Sequence, residues 1–406
     1  VFFVLSGFLI TSLLLGEREA AARIKLTAFW ARRGRRLLPA LFLLLAVVGA
    51  YALLVANPVD GRHVAQDGLA AFTYVANWHF ISSGQGYFQQ FTQQAPGPLR
   101  HVWSLAIEEQ FYLVWPIVVL VVARLSGGRI QRHGRERRRV RRALFVACVV
   151  LGIASLIRMI TLYQPGGDTN RVYYGTDTRA FIILIGAALG ALSVGNAAIT
   201  RRWPRHAVVV LGCLALLTLG AAFASVTPRS AWLFEGGYGV VAVLIVIVLA
   251  AAVQPGHNPL ARLLTARPLV GLGLISYGVY LWHWPITVWL TADNTGVDGP
   301  VLFALRTAVT LAVALASYVL VEQPIRRGRL PRLRLTNPGV APAAFVTAVA
   351  AVLLIPALAL PSAATATAIP GTTSETAAAT AAYAAAPRCD QPTVPPAARP
   401  HTRIHV

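Results

Sequence analysis

A cluster of polar and ionisable side chains lies between Pro98 and Pro116, where an apolar run of the sequence begins. An ionisable side chain in hydrocarbon is energetically costly, so each one near a membrane span is a candidate functional residue. If this stretch is helical, Ser104 and Glu108 share one face because they are four residues apart. Glu109 lies about 100° around the helix from Glu108. The candidate site residues of this cluster are His101, Trp103, Ser104, Glu108 and Glu109.

Two adjacent carboxylates suit general acid or base catalysis. A structural interpretation is also open, because acidic side chains near the start of a helix interact favourably with its dipole. Ser104 followed by Glu108 and Glu109 also fits a helix-capping arrangement.

A second cluster reads SYGVYLWHWPI, from Ser276 to Ile286, inside another apolar run. His283 lies between two tryptophans, and the hydroxyl of Tyr277 needs a hydrogen-bond partner at this depth. Flanking tryptophans are also typical of the aromatic belt at a membrane interface. The sequence therefore leaves a catalytic and a structural interpretation of His283 open.

Single charged residues lie at the ends of two further apolar runs. Arg179 follows YYGTDT, and Glu322 lies in SYVLVEQPIRR. Glu322 also fits an interfacial ion pair with the following arginines, worth ~1 kcal/mol or less. Arg179 also fits a side chain that extends toward the interface. Both residues favour a function only if they share one cavity.

The motif FWARRGRRLLPA contains a fork of arginines, Arg32, Arg33 and Arg36. Guanidinium groups bind phosphates in a bidentate manner, so this fork suits a phosphate-bearing substrate at the membrane face. Membrane topology alone also explains most of its charge.

These candidates lie in a highly apolar chain. Of its 406 residues, 56% are hydrophobic and 13% are charged, against about 25% charged in soluble domains. The sequence predicts an all-α fold, a polytopic transmembrane helical bundle with about ten spans present. Each approaches the ~20 residues that a bilayer core requires. The predicted spans are 1–15, 40–56, 109–125, 143–163, 178–195, 207–224, 237–253, 271–292, 302–322 and 340–361.

The net charge of +21 first suggests a nucleic-acid partner. However, arginines concentrate in every second connecting segment, as the positive-inside rule requires. The basic segments are 16–39, 124–142, 196–206, 254–270 and 323–335. The charge therefore predicts topology in a lipid bilayer rather than nucleic-acid binding. It places the tail after residue 361 on the exterior side.

The two ends of the chain differ from its middle. The opening run VFFVLSGFLITSLLL lacks the charged segment of a signal peptide, so we expect a helix to precede it. Residues 362–406, rich in Ala, Thr and Pro, are expected to form a disordered exterior linker. Cys389 in this segment fits either a disulfide with a cysteine elsewhere or a free thiol. No cysteine spacing indicates a metal site.

In eight ordered motifs the chain resembles the acyltransferase-3 family of bacterial inner-membrane O-acyltransferases. The motifs are FFVLSGFLITSLLL, FWARRGRRLLPA, NWHFI, GYF, PLRHVWSLAIEEQFYLVWP, DTRAFIILIGAALGAL, SYGVYLWHWPI and VEQPIRR. The resemblance covers about residues 1 to 330. It is strongest to longer members that modify peptidoglycan or surface polysaccharide, in which an eleventh span leads through a linker to an exterior SGNH-type domain.

The resemblance implies a membrane acyltransferase domain over 1–335, an additional span over 336–361 and the linker over 362–406. It also implies a first helix ahead of Val1 that carries an arginine and an essential histidine, and a linked SGNH-type domain. A fragment without that first helix is expected to lack activity.

As the resemblance implies, acyl-CoA, expected to be acetyl-CoA, is a co-substrate that binds from the cytoplasm, and no bound cofactor is expected. The phosphates of acyl-CoA would lie near Arg32, Arg33 and Arg36. The acyl group would pass to a hydroxyl of an exterior carbohydrate or cell-envelope polymer. Ser6 would line the acyl path, although Ser6 and Gly7 also fit small-residue helix packing.

The expected roles of the remaining candidates follow from the same resemblance. Glu108 or Glu109, with His101, would shape the acceptor side. Tyr277 or His283 would carry or steer the acyl group. The other expected site residues are Trp103 and Ser104 for substrate binding, and Arg179 and Glu322 as charged cavity residues.

Two other classes of protein fit part of the sequence. A solute carrier or lipid transporter without acyl chemistry also has many spans and intramembrane charges. A scaffold that only anchors an exterior domain needs one span and no pair of acids, so Glu108 and Glu109 argue against it.

Overall fold

The computed structural model describes residues 1–21, 24–86, 96–126, 134–193, 202–227, 229–254, 258–327 and 340–360. The regular elements in these ranges are helical. The helices are α1 (Phe2–Ala21), α2 (Leu26–Leu54), α3 (Pro58–Phe72), α4 (Ala76–Ser82), α5 (Trp103–Leu125), α6 (Gly134–Leu162), α7 (Asn170–Tyr174), α8 (Thr176–Ser193), α9 (Arg202–Ser225), α10 (Tyr238–Ala252), α11 (Pro259–Leu264), α12 (Arg267–Trp289), α13 (Ala292–Thr295), α14 (Gly299–Ser317), α15 (Gln323–Arg326) and α16 (Val340–Ala359). The predicted linker over 362–406 and Cys389 lie outside the described residues.

Seven helical stretches in the described ranges are long and apolar enough to cross a membrane. They are Leu26–Leu54, Arg100–Leu125, Glu136–Leu162, Asn170–Ser193, Pro204–Ser225, Leu233–Ala252 and Gly299–Arg326. These helices confirm the predicted helical membrane bundle, although they do not establish ten spans. The three other predicted spans correspond to α1, α12 and α16.

The basic connection assigned to residues 16–39 is mostly helical, which corrects that boundary. Helix α1 continues to Ala21, and α2 begins at Leu26 and carries the whole arginine fork. Arg, Leu and Ala are strong helix formers, so charge marks the membrane face without ending the helix. Pro39 lies inside α2 and is buried.

The described residues between 57 and 108 contain α3, α4 and the start of α5. The side chain of Asn57 caps α3 by accepting a hydrogen bond from the Asp60 backbone N–H at 2.9 Å. The turn before α4 places Tyr74 in the left-handed region, with a φ of 59°. Burial raises the pKa of the Tyr74 phenol.

A network of hydrogen bonds between buried polar groups connects α4 to α5 and α8. Gln110 donates to the Tyr74 carbonyl oxygen at 2.8 Å and to Asn77 Oδ1 at 3.0 Å. Thr176 Oγ1 donates to Gln110 Oε1 at 2.7 Å. Asn77, which is fully buried, donates to the Tyr174 carbonyl oxygen at 3.0 Å. Each partner satisfies a polar group that would be costly to bury alone.

Helices α1 and α8 approach each other backbone to backbone. A Cβ on Gly7 would collide with the Ile183 carbonyl oxygen, and a Cβ on Gly186 would collide with the Val4 carbonyl oxygen. A Cβ on Gly190 would lie 2.8 Å from the Phe8 carbonyl oxygen. Small residues permit this close packing in membranes.

We expect Gly7→Ala and Gly186→Ala each to destabilise the protein by about 1–3 kcal/mol, because the colliding atoms are backbone atoms. The apparent melting temperature in detergent measures the effect. Gly16→Ala is the matched control on α1, since nothing lies within 4 Å of its Cβ position. It should leave stability unchanged or raise it by up to about 1 kcal/mol. Equal effects at Gly7 and Gly16 would contradict the close contact.

Candidate active site

Four helices enclose a cavity of about 220 Å³. Helix α1 contributes one continuous face, and α2, α5 and α12 close the other sides. The lining residues are Phe2, Leu5, Ser6, Leu9 and Ile10 of α1, Arg33, Arg36 and Leu37 of α2, Ser104, Leu105, Glu108 and Tyr112 of α5, and Ser276, Tyr277 and Tyr280 of α12.

Ser6, Glu108 and Tyr112 form a closed triangle of short contacts in this cavity. Ser6 Oγ donates to Glu108 Oε2 at 3.0 Å, and Tyr112 Oη donates to the same oxygen at 3.1 Å. The two hydroxyl oxygens are 2.7 Å apart. A hydrogen bond to an ionised carboxylate is stronger than one between neutral groups. The triangle therefore holds a hydroxyl group directly against a carboxyl group.

The arginine fork divides between two environments. The guanidinium of Arg33 lies 5.3 Å from the ring centroid of Tyr112, and Arg36 also lines the cavity. Arg32 instead forms an ion pair with Glu17, with its Nη2 at 2.8 Å from Oε2. Of the three predicted phosphate-binding residues, the structure thus brings Arg33 and Arg36 to the cavity.

Two tyrosines of α12 line a further wall of the cavity. Tyr280 Oη donates to the His101 carbonyl oxygen at 2.6 Å, so Ser104 Oγ, at 2.9 Å, donates to Tyr280 Oη. Tyr277 Oη donates to the Leu37 carbonyl oxygen at 3.2 Å. These bonds fix two hydroxyl groups on the cavity wall.

His101 and His283 lie together behind Tyr280, with ring centroids 5.3 Å apart. His101 Nε2 is 3.1 Å from the Leu281 carbonyl oxygen, and His283 Nδ1 is 2.6 Å from the Tyr280 carbonyl oxygen. Because a carbonyl oxygen only accepts, each of these nitrogens carries a proton. His101 Nδ1 is buried without a hydrogen-bond partner. The two histidines adjoin the cavity but do not line it.

Arg179 does not line the cavity, contrary to expectation. It is 2% exposed, and its guanidinium lies between the rings of Tyr173 and Tyr238, at 4.4 and 4.0 Å from their centroids. Its Nε donates to the Tyr173 carbonyl oxygen at 3.0 Å. The aromatic faces and the carbonyl accommodate the charge away from the cavity.

Glu109, Glu322 and Trp103 also lie outside the cavity lining. Glu109 is turned about 100° from Glu108 on α5, and its Oε1 is buried without a hydrogen-bond partner. Glu322 is 5% exposed and accepts a hydrogen bond from Ser317 at 3.4 Å. Trp103 packs against Tyr173, with ring centroids 4.9 Å apart. Of the four charged residues expected to share one cavity, only Glu108 lines it.

Two lining residues, Tyr112 and Tyr280, are not among the site residues predicted from the sequence. Both carried a usable signal. Tyr112 follows Glu108 by four residues, the same helical spacing that linked Ser104 to Glu108. Tyr280 follows Tyr277 by three residues and shares its face of α12.

The fold and the cavity define a polytopic helical membrane protein with a polar site between its helices. A family model described as an acyltransferase domain matches residues 1–320. The chain therefore belongs to the acyltransferase-3 family, which confirms the resemblance seen in the motifs.

Three relatives illustrate the similarity. The chain is 37% identical to peptidoglycan O-acetyltransferase OatA of Listeria monocytogenes, over 80% of this chain and 50% of the relative. It is 35% identical to O-acetyltransferase OatA of Staphylococcus aureus, over 80% and 52%. It is 37% identical to the putative peptidoglycan O-acetyltransferase YrhL of Bacillus subtilis, over 80% and 50%. The chain thus spans about half the length of these relatives. No solved structure matches it.

We expect Arg179→Lys to destabilise the protein by about 2 kcal/mol, because lysine cannot stack its charge flat between two rings. Arg158→Lys is the control, since the Arg158 side chain is 54% exposed. A surface exchange of this kind should change stability by less than about 0.5 kcal/mol. Thermal unfolding in detergent compares the two, and equal melting temperatures would contradict the buried role of Arg179.

Proposed function

We propose that this protein is a membrane O-acyltransferase. It moves an acyl group, acetyl by analogy with the names of its relatives, from acyl-CoA to a hydroxyl of a carbohydrate or cell-envelope polymer on the other side of the membrane. Peptidoglycan is the acceptor that the relatives' names favour. The distribution of arginine supports a bacterial inner-membrane location with acyl-CoA on the cytoplasmic side.

The order of groups along α5 carries this proposal. Ser104, Glu108 and Tyr112 occupy successive turns and therefore span about 12 Å along the helix axis. Arg33 lies against Tyr112 at one end, and Tyr280 bonds Ser104 at the other. A cationic end, a central carboxyl group and a hydroxyl-rich end thus share one cavity. This order fits a phosphate-bearing donor and a hydroxyl-bearing acceptor that approach from opposite sides.

The residues have distinct proposed roles. Arg33 and Arg36 bind phosphates of acyl-CoA through charge-assisted hydrogen bonds. Glu108 accepts and returns a proton during acyl transfer. Ser104 and Tyr280 hydrogen-bond the acceptor. In this proposed route, a linked SGNH-type domain relays the acyl group to the acceptor.

Release of free CoA tests the reaction class. Membranes that contain the full-length protein should release CoA from acetyl-CoA when the acceptor polymer is present, and Glu108→Gln should lower that rate by about 100-fold or more. A carrier consumes no thioester. Transport of a solute without CoA release would therefore contradict the proposal.

Substitution in the arginine fork tests the donor end. Arg33→Gln and Arg36→Gln should each raise the KM for acyl-CoA by about 10- to 100-fold, the value of one charge-assisted hydrogen bond. The value of kcat should change little, because the phosphates are remote from the reacting carbonyl.

Arg35→Gln is the control within the same motif. Arg35 is exposed and bonds only the Ala31 carbonyl oxygen among the contacts described for it. Its KM should stay at the wild-type value. An unchanged KM in the Arg33 and Arg36 variants would place the CoA phosphates elsewhere.

A further inference from the structure

We propose that Ser6 carries the acyl group as a covalent ester between donor and acceptor. This inference rests on the proposed function and specifies its chemical route. It gives the polar residue in the opening apolar run a catalytic role, which its neighbour Gly7 does not share.

The contacts of Ser6 are those of an activated nucleophile. Its Oγ lines the cavity and donates to Glu108 Oε2 at 3.0 Å. A serine hydroxyl is a weak nucleophile until an adjacent base removes its proton. Tyr112 donates to the same carboxylate oxygen at 3.1 Å and thereby orients Glu108. Tyr112 is a positioning residue in this arrangement.

Ser6 also lies between the Arg33 end and the Ser104 end of the cavity. Glu108, its partner, occupies the middle of the three turns between the Arg33 end and the Ser104 end of the cavity. An acyl group on Ser6 Oγ would therefore lie between a donor anchored at Arg33 and an acceptor held at Ser104. Among the lining residues in the described part of the chain, Ser6 and Tyr112 are the two whose hydroxyl groups contact the carboxyl group of Glu108.

The size of the cavity favours transfer in two steps. Its volume is about 220 Å³, whereas pockets for a single drug-sized ligand measure about 300–1,000 Å³. A cavity of this size is small for a pantetheine arm and a sugar unit at the same time. If the acyl group stays on Ser6 while CoA leaves, the two substrates need not be present at once.

The acyl group passes through Ser6 in two steps. Ser6 Oγ attacks the thioester carbonyl carbon, its proton passes to Glu108 Oε2, and the carbon–sulfur bond breaks. The leaving thiolate takes that proton from Glu108 and departs as free CoA. The acceptor hydroxyl then gives its proton to Glu108 and attacks the ester carbonyl carbon. The bond to Ser6 Oγ breaks, and Ser6 recovers the proton.

Isotope exchange tests the covalent step without an acceptor. Purified full-length protein in detergent, incubated with acetyl-CoA and labelled free CoA, should transfer the label into acetyl-CoA. Ser6→Ala should lower this exchange by about 100-fold or more. Ser12→Ala is the matched control, because Ser12 lies on the same helix and its buried Oγ has no hydrogen-bond partner. It should exchange at the wild-type rate.

Mass spectrometry of the intact protein gives an independent result. Quenched wild-type protein should carry the mass of one acetyl group on the peptide that contains Ser6. Ser6→Cys should carry the acetyl group as a thioester that hydroxylamine removes. This variant keeps a nucleophile and a similar volume, so it also controls for folding.

Each outcome decides the inference. Exchange that persists in Ser6→Ala overturns it, as does acetyl transfer to the acceptor by wild-type protein without exchange, which would show direct transfer. In the second case the proposed function stands. Full-length wild-type protein that neither exchanges label nor releases CoA with acceptor present contradicts the proposed function itself.

Discussion

The close contact between α1 and α8 fixes the rotation of α1, and the candidate site depends on that rotation. Gly7 faces the Ile183 carbonyl, where no side chain fits. Ser6 lies about 100° around the helix and therefore faces α5 instead. The Ser-Gly step was open to a packing or an acyl-path interpretation in the sequence. The structure divides the two, with Gly7 in the helix contact and Ser6 at the cavity.

Polar groups in this bundle are satisfied mainly by one another, as an apolar surrounding demands. Glu108 accepts two hydroxyl groups, Gln110 bonds three partners, and Arg179 lies between two aromatic rings. We interpret the Gln110 and Arg179 sites as structural, because neither residue lines the cavity. The Glu108 site differs in that its contacts line a cavity. Access to the cavity, rather than charge alone, separates the candidate catalytic carboxyl group of Glu108 from the buried structural groups.

Patterns within single helices explain which parts of the structure could be predicted from the sequence. Apolar runs predicted most of the long helices, and a spacing of four predicted that Ser104 and Glu108 share a face. The contact between Arg179 and Tyr238 depends on how distant helices pack, which periodicity within one helix does not encode. Helix ends were also misplaced where charge was taken as the end of a helix. The Arg32 motif is helical because arginine favours helix as strongly as leucine does.

The same helical geometry explains why the arginine fork is split. At about 100° per residue, Arg32 and Arg33 point in directions 100° apart, and Arg36 lies about 60° from Arg33. A cavity on one side of α2 can therefore receive Arg33 and Arg36, and Leu37 follows on the same face. Arg32 turns toward Glu17 at the end of α1 and binds it. That ion pair joins α1 to α2, while Arg33 and Arg36 of the same motif line the cavity.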